Sequence, residues 1–367
     1  MSMRLIASAL PFCILAACSN SGNGGGGDAQ GVADAPPLTG DMYSLTWGPV
    51  TVGAGVESTQ CVWLRLGNDA EIKVHQVHNT LSASSHHLIV YKDDMDTTEQ
   101  TTPTPCQPFT GALNTTGMIQ PLIITQKKDD ELTLPGGVAY TFAPHQMVKL
   151  EMHYINTTDV DQMASAQVNV FSADPAGIHD EAAVLFNGSP DIGIPDTNNK
   201  WSIPAGAVPG SPGTVLHEFM TVPDYLDLSA SHIFAITGHT HRHGIDMEVN
   251  TAPSKGGALT PVYKPNPFNW AEPETTIQVT PFSVPKGGGF DFTCAYDNTG
   301  GAAVKFGESA NDEMCFFWAY YYPAIVDSTI HSGSRVCIHT DQYGGTNGID
   351  ACCPGDPTIC ALVTKNF

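Results

Sequence analysis

What most constrains this chain is how its apolar residues are distributed: in short runs, each closed by turn-forming residues. Residues 61–66, 87–91, 147–155, 164–171, 232–237, 276–279 and 316–322 are apolar or alternate apolar with polar. Between them lie segments drawn from 36 glycines and 27 prolines, and only 14% of residues are charged. Long stretches with apolar residues at helical spacing are hard to find. Short runs punctuated by Gly and Pro form strands, so the pattern predicts an all-β sandwich or a related fold. The clearest strand is 147–155. Val148, Leu150, Met152 and Tyr154 fall on one face, and Lys149, Glu151 and His153 on the other. His153 is therefore expected to leave a half-buried strand on its polar side.

The first eighteen residues read as an export signal. A basic start at Arg4 leads into an apolar run over 5–16, too short to span a bilayer as a mature helix. The run ends in Leu15-Ala16-Ala17-Cys18, which resembles a bacterial lipobox with Cys18 as the lipidated residue. Ser, Asn and Gly dominate 19–27, a composition that makes a flexible tether, taken here as 19–40. The expectation is a lipid-anchored protein of the bacterial cell envelope that touches the membrane through its anchor alone. The remaining length allows two domains of ordinary size. Turn-rich sequence after Phe171 places the division near residue 176, giving 41–176 and 177–335, with a cysteine-rich tail at 336–367.

Net charge is −22, from 15 basic and 37 acidic residues, which excludes a general nucleic-acid binder. Of ten cysteines, Cys13 and Cys18 fall in the leader. The other eight are Cys61, Cys106, Cys294, Cys315, Cys337, Cys352, Cys353 and Cys360. An even set in an exported chain reads as four disulfides, with the pairing left open. None has CxxC spacing, which argues against a cysteine zinc site.

Fourteen histidines remain to be explained. In an extended segment, residues two apart point the same way, so His239 and His241 would offer two imidazoles to one point. The alternative is a solvated histidine-rich edge. His243 continues the row only if the strand does, and Gly244 suggests a turn. Adjacent His86 and His87 reach one metal only if the backbone bulges there. His75 and His78 suit neither strand face and read as surface histidines. Imidazole sets suit copper, zinc, iron and nickel, and a thioether shifts the choice towards copper. No HExxH motif is present.

Four segments, taken in order, resemble the copper type II, ascorbate-dependent monooxygenases, the family of peptidylglycine alpha-hydroxylating monooxygenase and dopamine beta-monooxygenase. They are Ser85-His86-His87-Leu88-Ile89-Val90, Leu150-Glu151-Met152-His153-Tyr154, Gly238-His239-Thr240-His241, and residues 307–315 ending in Glu313-Met314-Cys315, followed by Tyr320-Tyr321-Tyr322-Pro323. The resemblance spans roughly Tyr43 to Pro323. It implies two tandem antiparallel, jelly-roll-like β-sandwich domains with two coppers per chain. His86, His87 and His153 would hold the electron-storing copper. His239, His241 and Met314 would hold the copper that activates dioxygen, across an interdomain cleft. It also implies the disulfides Cys61–Cys106 and Cys294–Cys315. The implied reaction is hydroxylation of an aliphatic C–H bond of a small-molecule or short peptide substrate, with dioxygen and a reductant such as ascorbate. Two rivals are a non-catalytic copper-binding lipoprotein of the same fold and a surface structural or adhesion lipoprotein with scattered histidines.

One departure bears on substrate. Members that bind a peptide carboxylate carry an Asn and a Tyr after Met-Cys and an Arg before HxH. Here Phe316-Phe317-Trp318 follows Cys315, and Ile236-Thr237-Gly238 precedes His239. That speaks against a C-terminal glycine peptide. Phe316 and Trp318 would share one strand face and Phe317 the other, lining the cleft or filling a core.

Overall fold

The computed structural model describes residues 40–109, 118–195, 201–326, 333–341, 348–355 and 360. The leader, Cys18 and the tether lie outside the described residues. Among the described residues, no helix is long and apolar enough to cross a membrane.

The chain is all-β. The first half supplies β1 (Met42–Val52), β2 (Glu57–Arg65), β3 (Ile72–Leu81), β4 (Ser85–Asp93), β5 (Gln100–Pro105), β6 (Ile119–Thr125), β7 (Asp129–Thr133), β8 (Val138–Phe142), β9 (Met147–Ile155), β10 (Gln162–Ala173) and β11 (Asp180–Glu181). The second half supplies β12 (Ala183–Ser189), β13 (Ile194–Pro195), β14 (Trp201–Ile203), β15 (Thr214–Thr221), β16 (His232–His239), β17 (Gly244–Ala252), β18 (Thr260–Tyr263), β19 (Thr275–Phe282), β20 (Gly289–Tyr296), β21 (Val304–Lys305), β22 (Cys315–Tyr322), β23 (Arg335–Thr340) and β24 (Ile349–Cys353). Every run expected as a strand is one, Leu66 alone lying just past the end of β2.

In the first half, one sheet runs β1-β10-β3-β8-β11, with β7 also on β3, and a second runs β5-β2-β9-β4-β6. In the second half, a six-stranded sheet runs β19-β16-β22-β12-β23-β24 and a four-stranded one β15-β20-β17-β18, beside the small sheet β13-β14-β21. Nearly all pairs are antiparallel. The parallel exceptions are β8 with β11 and β12 with β23.

The aromatic run of β22 now has a reason. Successive strand residues face opposite ways, and both faces of this sheet are covered. Phe317, Ala319 and Tyr321 enter the second half's own core with Phe290 and Phe292. Phe316, Trp318 and Tyr320 join Phe186 and Phe234 in the core that continues into the first half. Phe186 stacks on Phe316 and Trp318, with ring centroids 4.8 and 5.6 Å away. Of the two expectations for these aromatics, the second holds: they fill cores.

Three expectations change. The polar face of β9 is not at the surface: Lys149, Glu151 and His153 are all buried. β9 is central, flanked by β2 and β4, and its carboxylate is used internally. Glu151 accepts from the Phe109 N–H at 2.6 Å and sits 3.2 Å from Lys149 Nζ, which lies over the Tyr91 ring. His75 is also buried, with Nδ1 3.2 Å from the Val138 carbonyl, whereas His78 is partly exposed beside Asp129. Finally, the described part of the cysteine-rich tail is not a separate appendage. β23 pairs with β12 and carries β24 at the sheet edge, burying Val336 and Ile338.

Four disulfides resolve the pairing that sequence leaves open: Cys61–Cys106, Cys294–Cys315, Cys337–Cys352 and Cys353–Cys360. They fit an oxidising, extracellular compartment.

Candidate metal centre

Neighbouring strands bring the first histidine set together. His87 on β4 stands opposite His153 on β9, and the register slips between Ser85 and His87. That bulge lets the adjacent His86 and His87 face one region. The rings lie 5.3 Å apart for His86–His87, 5.3 Å for His86–His153 and 4.9 Å for His87–His153. One nitrogen from each falls within 4.8 Å of the others. Glu57 on β2 lies 3.0 Å from His153 Nε2 and accepts from the Ala310 N–H at 2.9 Å. The hydrogen bond to His153 is the main reason its carboxyl is lowered to about 2.

The second set sits where a strand ends. β16 stops at His239, and the Gly244 N–H reaches the His241 carbonyl at 3.0 Å to close a turn. His241 is therefore in the turn rather than on the strand, yet its ring lies 5.1 Å from that of His239, nearly perpendicular to it. The row does not continue: His243 is turned towards Arg242. His239 Nδ1 faces Gln126 Oε1 at 2.5 Å, and His241 Nδ1 faces the Asp312 carbonyl at 3.1 Å. With Nδ1 donating to Gln126, His239 keeps the lone pair of Nε2, which has no partner.

The turn is tied to the Met314 segment by a buried carboxylate. Glu313 accepts from the N–H groups of His241 at 2.8 Å, His243 at 2.7 Å and Met314 at 3.3 Å. Burial outweighs these bonds and pushes its carboxyl up to about 7. Met314 is buried, its carbonyl accepts from the Tyr296 hydroxyl, and the Cys294–Cys315 disulfide pins the next residue to β20.

Among the described residues, the two sets lie side by side. The His87 and His239 rings are 6.1 Å apart. The shared aromatic core draws the halves together, and polar ties flank it: Gln126 Nε2 donates to the Gly238 carbonyl, and the Ile124 N–H donates to the Tyr320 hydroxyl.

Burial holds His86, His87, His239 and His241 neutral. It lowers His86 to about 3 and His241 to about 4, and it places His87 and His239 well below the usual range. His86 Nε2, both nitrogens of His87 and His239 Nε2 are buried without a hydrogen-bond partner. Each such group costs about 1–3 kcal/mol. A cation that accepts imidazole lone pairs would satisfy one nitrogen on each of these rings, so these residues fit a copper-type metal.

Gln126, Glu57 and Glu313 were not singled out by sequence. Glu313 had one signal, its place beside Met314 in the segment 307–315. Gln126 and Glu57 had none, because their partners lie far along the chain.

Residues 216–340 match the family model of the copper type II ascorbate-dependent monooxygenase C-terminal domain. The matched span includes His239, His241 and Met314 and leaves the first histidine set outside. No curated protein matches the chain. Among solved structures, it is similar to that of the infectious bursal disease virus Gx strain, at 9% identity and TM-score 0.19, covering 80% of this chain and 74% of that one. It is also similar to the tandem CBM22 domains of Paenibacillus barcinonensis Xyn10C, at 10% identity and TM-score 0.19, covering 80% of this chain and 100% of that one. At such scores neither likeness carries an argument. The sequence match does: at residues 216–340 this chain carries a C-terminal domain of the copper type II ascorbate-dependent monooxygenase family.

Proposed function

We propose that the chain is a copper-dependent monooxygenase that hydroxylates an aliphatic C–H bond of a small substrate, using dioxygen and a reductant such as ascorbate. The observation that carries this reading is the convergence of His86, His87 and His153 on one region beside His239 and His241, with buried nitrogens of His86, His87 and His239 that have no hydrogen-bond partner. His86, His87 and His153 would hold one copper, and His239, His241 and Met314 the other. Copper held there supplies the one-electron chemistry that dioxygen activation requires.

The chain's own residues do the rest. Gln126 and the Asp312 carbonyl orient the two imidazoles of the second set. Glu313 fixes the turn that carries His241, and Glu57 orients His153 while bridging to Ser309 and Ala310. The packed aromatic interface keeps water from the buried nitrogens. The missing carboxylate clamp points to a small substrate other than a C-terminal glycine peptide. Export and anchoring through Cys18 belong to the same proposal, and the four disulfides support an extracytoplasmic setting.

The test is two measurements on the full chain. Protein loaded with copper under ascorbate and dialysed should retain close to two coppers. Oxygen uptake should then depend on ascorbate and on a substrate from a broad panel. Two coppers without uptake would leave a non-catalytic copper-binding lipoprotein, and near-zero copper would end both readings.

A further inference from the structure

A second cluster of ligating side chains lies away from the histidine sets, where β23 and β24 meet β15. His339 is 1% exposed, and its Nδ1 lies 2.7 Å from Asp350 Oδ1. The other Asp350 oxygen accepts from the Thr221 N–H at 3.0 Å, so the carboxylate is itself held. A carboxylate on Nδ1 fixes the ring and directs Nε2 outward as a ligand, the arrangement found behind metal-bound histidines.

What Nε2 faces is unusual. It lies 3.2 Å from Glu218 Oε2 and 3.6 Å from Asp341 Oδ1, yet aligns a hydrogen bond with neither. The three donor atoms lie within 4.8 Å of one another. Ligands about 2.0–2.2 Å from a tetrahedral ion stand about 3.3–3.6 Å apart, so the two separations suit a shared cation better than an aligned ion pair. Room beside the cluster is protected as well. A Cβ at Gly348 would fall 2.6 Å from Asp341 Oδ1 and 2.9 Å from His339 Cε1, and Gly348 has φ +66°, so a side chain there is doubly disfavoured.

The donors choose the ion. One imidazole and two carboxylates match zinc-class divalent cations, whereas calcium and magnesium take oxygen ligands alone. The nearby cysteines are all in disulfides and offer no thiolate. Asp341 is 43% exposed, which gives an entry path. We propose that Glu218, His339 and Asp341 form a zinc-class divalent-cation site, with Asp350 positioning the histidine. It would clip β15 of the four-stranded sheet to β23 of the six-stranded one.

A protonated His339 bridging Asp350 and Glu218 is the competing state, since these carboxylates overcome burial and raise the ring to about 10. The experiment separates the two. Zinc per chain is measured after equilibrium dialysis for the wild type, Asp341→Asn and His339→Gln. The site predicts one zinc fewer in each variant than in the wild type. It also predicts a zinc-dependent rise in thermal midpoint that Asp341→Asn diminishes. Asp341 is exposed, so that variant keeps the fold even if His339→Gln does not. Equal zinc content and equal thermal response in the wild type and Asp341→Asn would overturn the proposal. Copper at the histidine sets is scored separately under ascorbate. Its absence would refute the proposed function and leave the zinc result standing.

Discussion

Gln126 reaches from the first half of the chain to a ligand in the second, and replacing it tests whether that reach matters. Its side chain is buried, its Oε1 accepts from His239 Nδ1 at 2.5 Å, and its Nε2 donates to the Gly238 carbonyl at 3.3 Å. Gln126→Leu keeps much of the volume and removes both bonds. A buried donor left unsatisfied costs about 1–3 kcal/mol, so metal-free protein should lose about that much in urea unfolding. Losing the partner behind a metal-bound histidine typically costs ten- to a hundredfold in affinity, about 1.4–2.7 kcal/mol. That loss should fall on the His239, His241 and Met314 set alone. The assay is a Cu(I) competition titration against a chelator, resolved into two affinity classes. Equal weakening of both classes, or none, would refute the reasoning: the first outcome makes Gln126 a general stability residue, and the second makes its bond to His239 incidental.

Three further outcomes are expected. Glu313→Ala strips three backbone N–H groups of their acceptor. It should cost about 3–9 kcal/mol in denaturant unfolding, less whatever entering water recovers. Met314→Ala should weaken copper at the second set while leaving the His86, His87 and His153 copper in place, read by the same two-class titration, and should cost about 2–5 kcal/mol in stability. The pH dependence follows from His86. The unfolded ring takes a proton near 6.5 and the folded ring only at about 3, so unfolding takes up a proton between these values and stability falls as pH falls. Glu308 and Glu313, both raised to about 7 by burial, act in the opposite sense. The measurement is therefore a difference: between pH 7 and 4, metal-free wild type should lose about 3 kcal/mol more than His86→Gln. Parallel losses would count against a buried neutral ring.

How much of this was legible in sequence depended on distance along the chain. β9 was read with its true ends, because alternation over 147–155 is a local signal. The split of Phe316 and Phe317 between two faces followed from the same two-residue period. The direction of His153 was legible, but its burial was not. That depends on β2 and β4, which lie far away in sequence and supply the cover. His239 and His241 were paired by strand logic that holds only for His239, and the turn held by Glu313 delivers His241 instead. Gln126 and Glu57 carry no local pattern, and each acts on residues more than 90 positions away. The Glu218 and His339 pair is hidden for the same reason: β15 and β23 meet only once the sandwich is built.

The position of β12 also sets where this protein can be cut. In the six-stranded sheet, β12 lies between β22 and β23, and it precedes the family-matched span of 216–340. A fragment begun at residue 216 would lack the strand that joins the two parts of its own sheet. β22 would present a bare edge of unpaired N–H and C=O groups. Phe316, Trp318 and Tyr320 would lose both Phe186 and the first half, leaving an aromatic patch in water. Such a fragment should precipitate or associate on expression. The smallest piece worth producing starts upstream of β1, and the recognised domain is a unit of sequence rather than of folding.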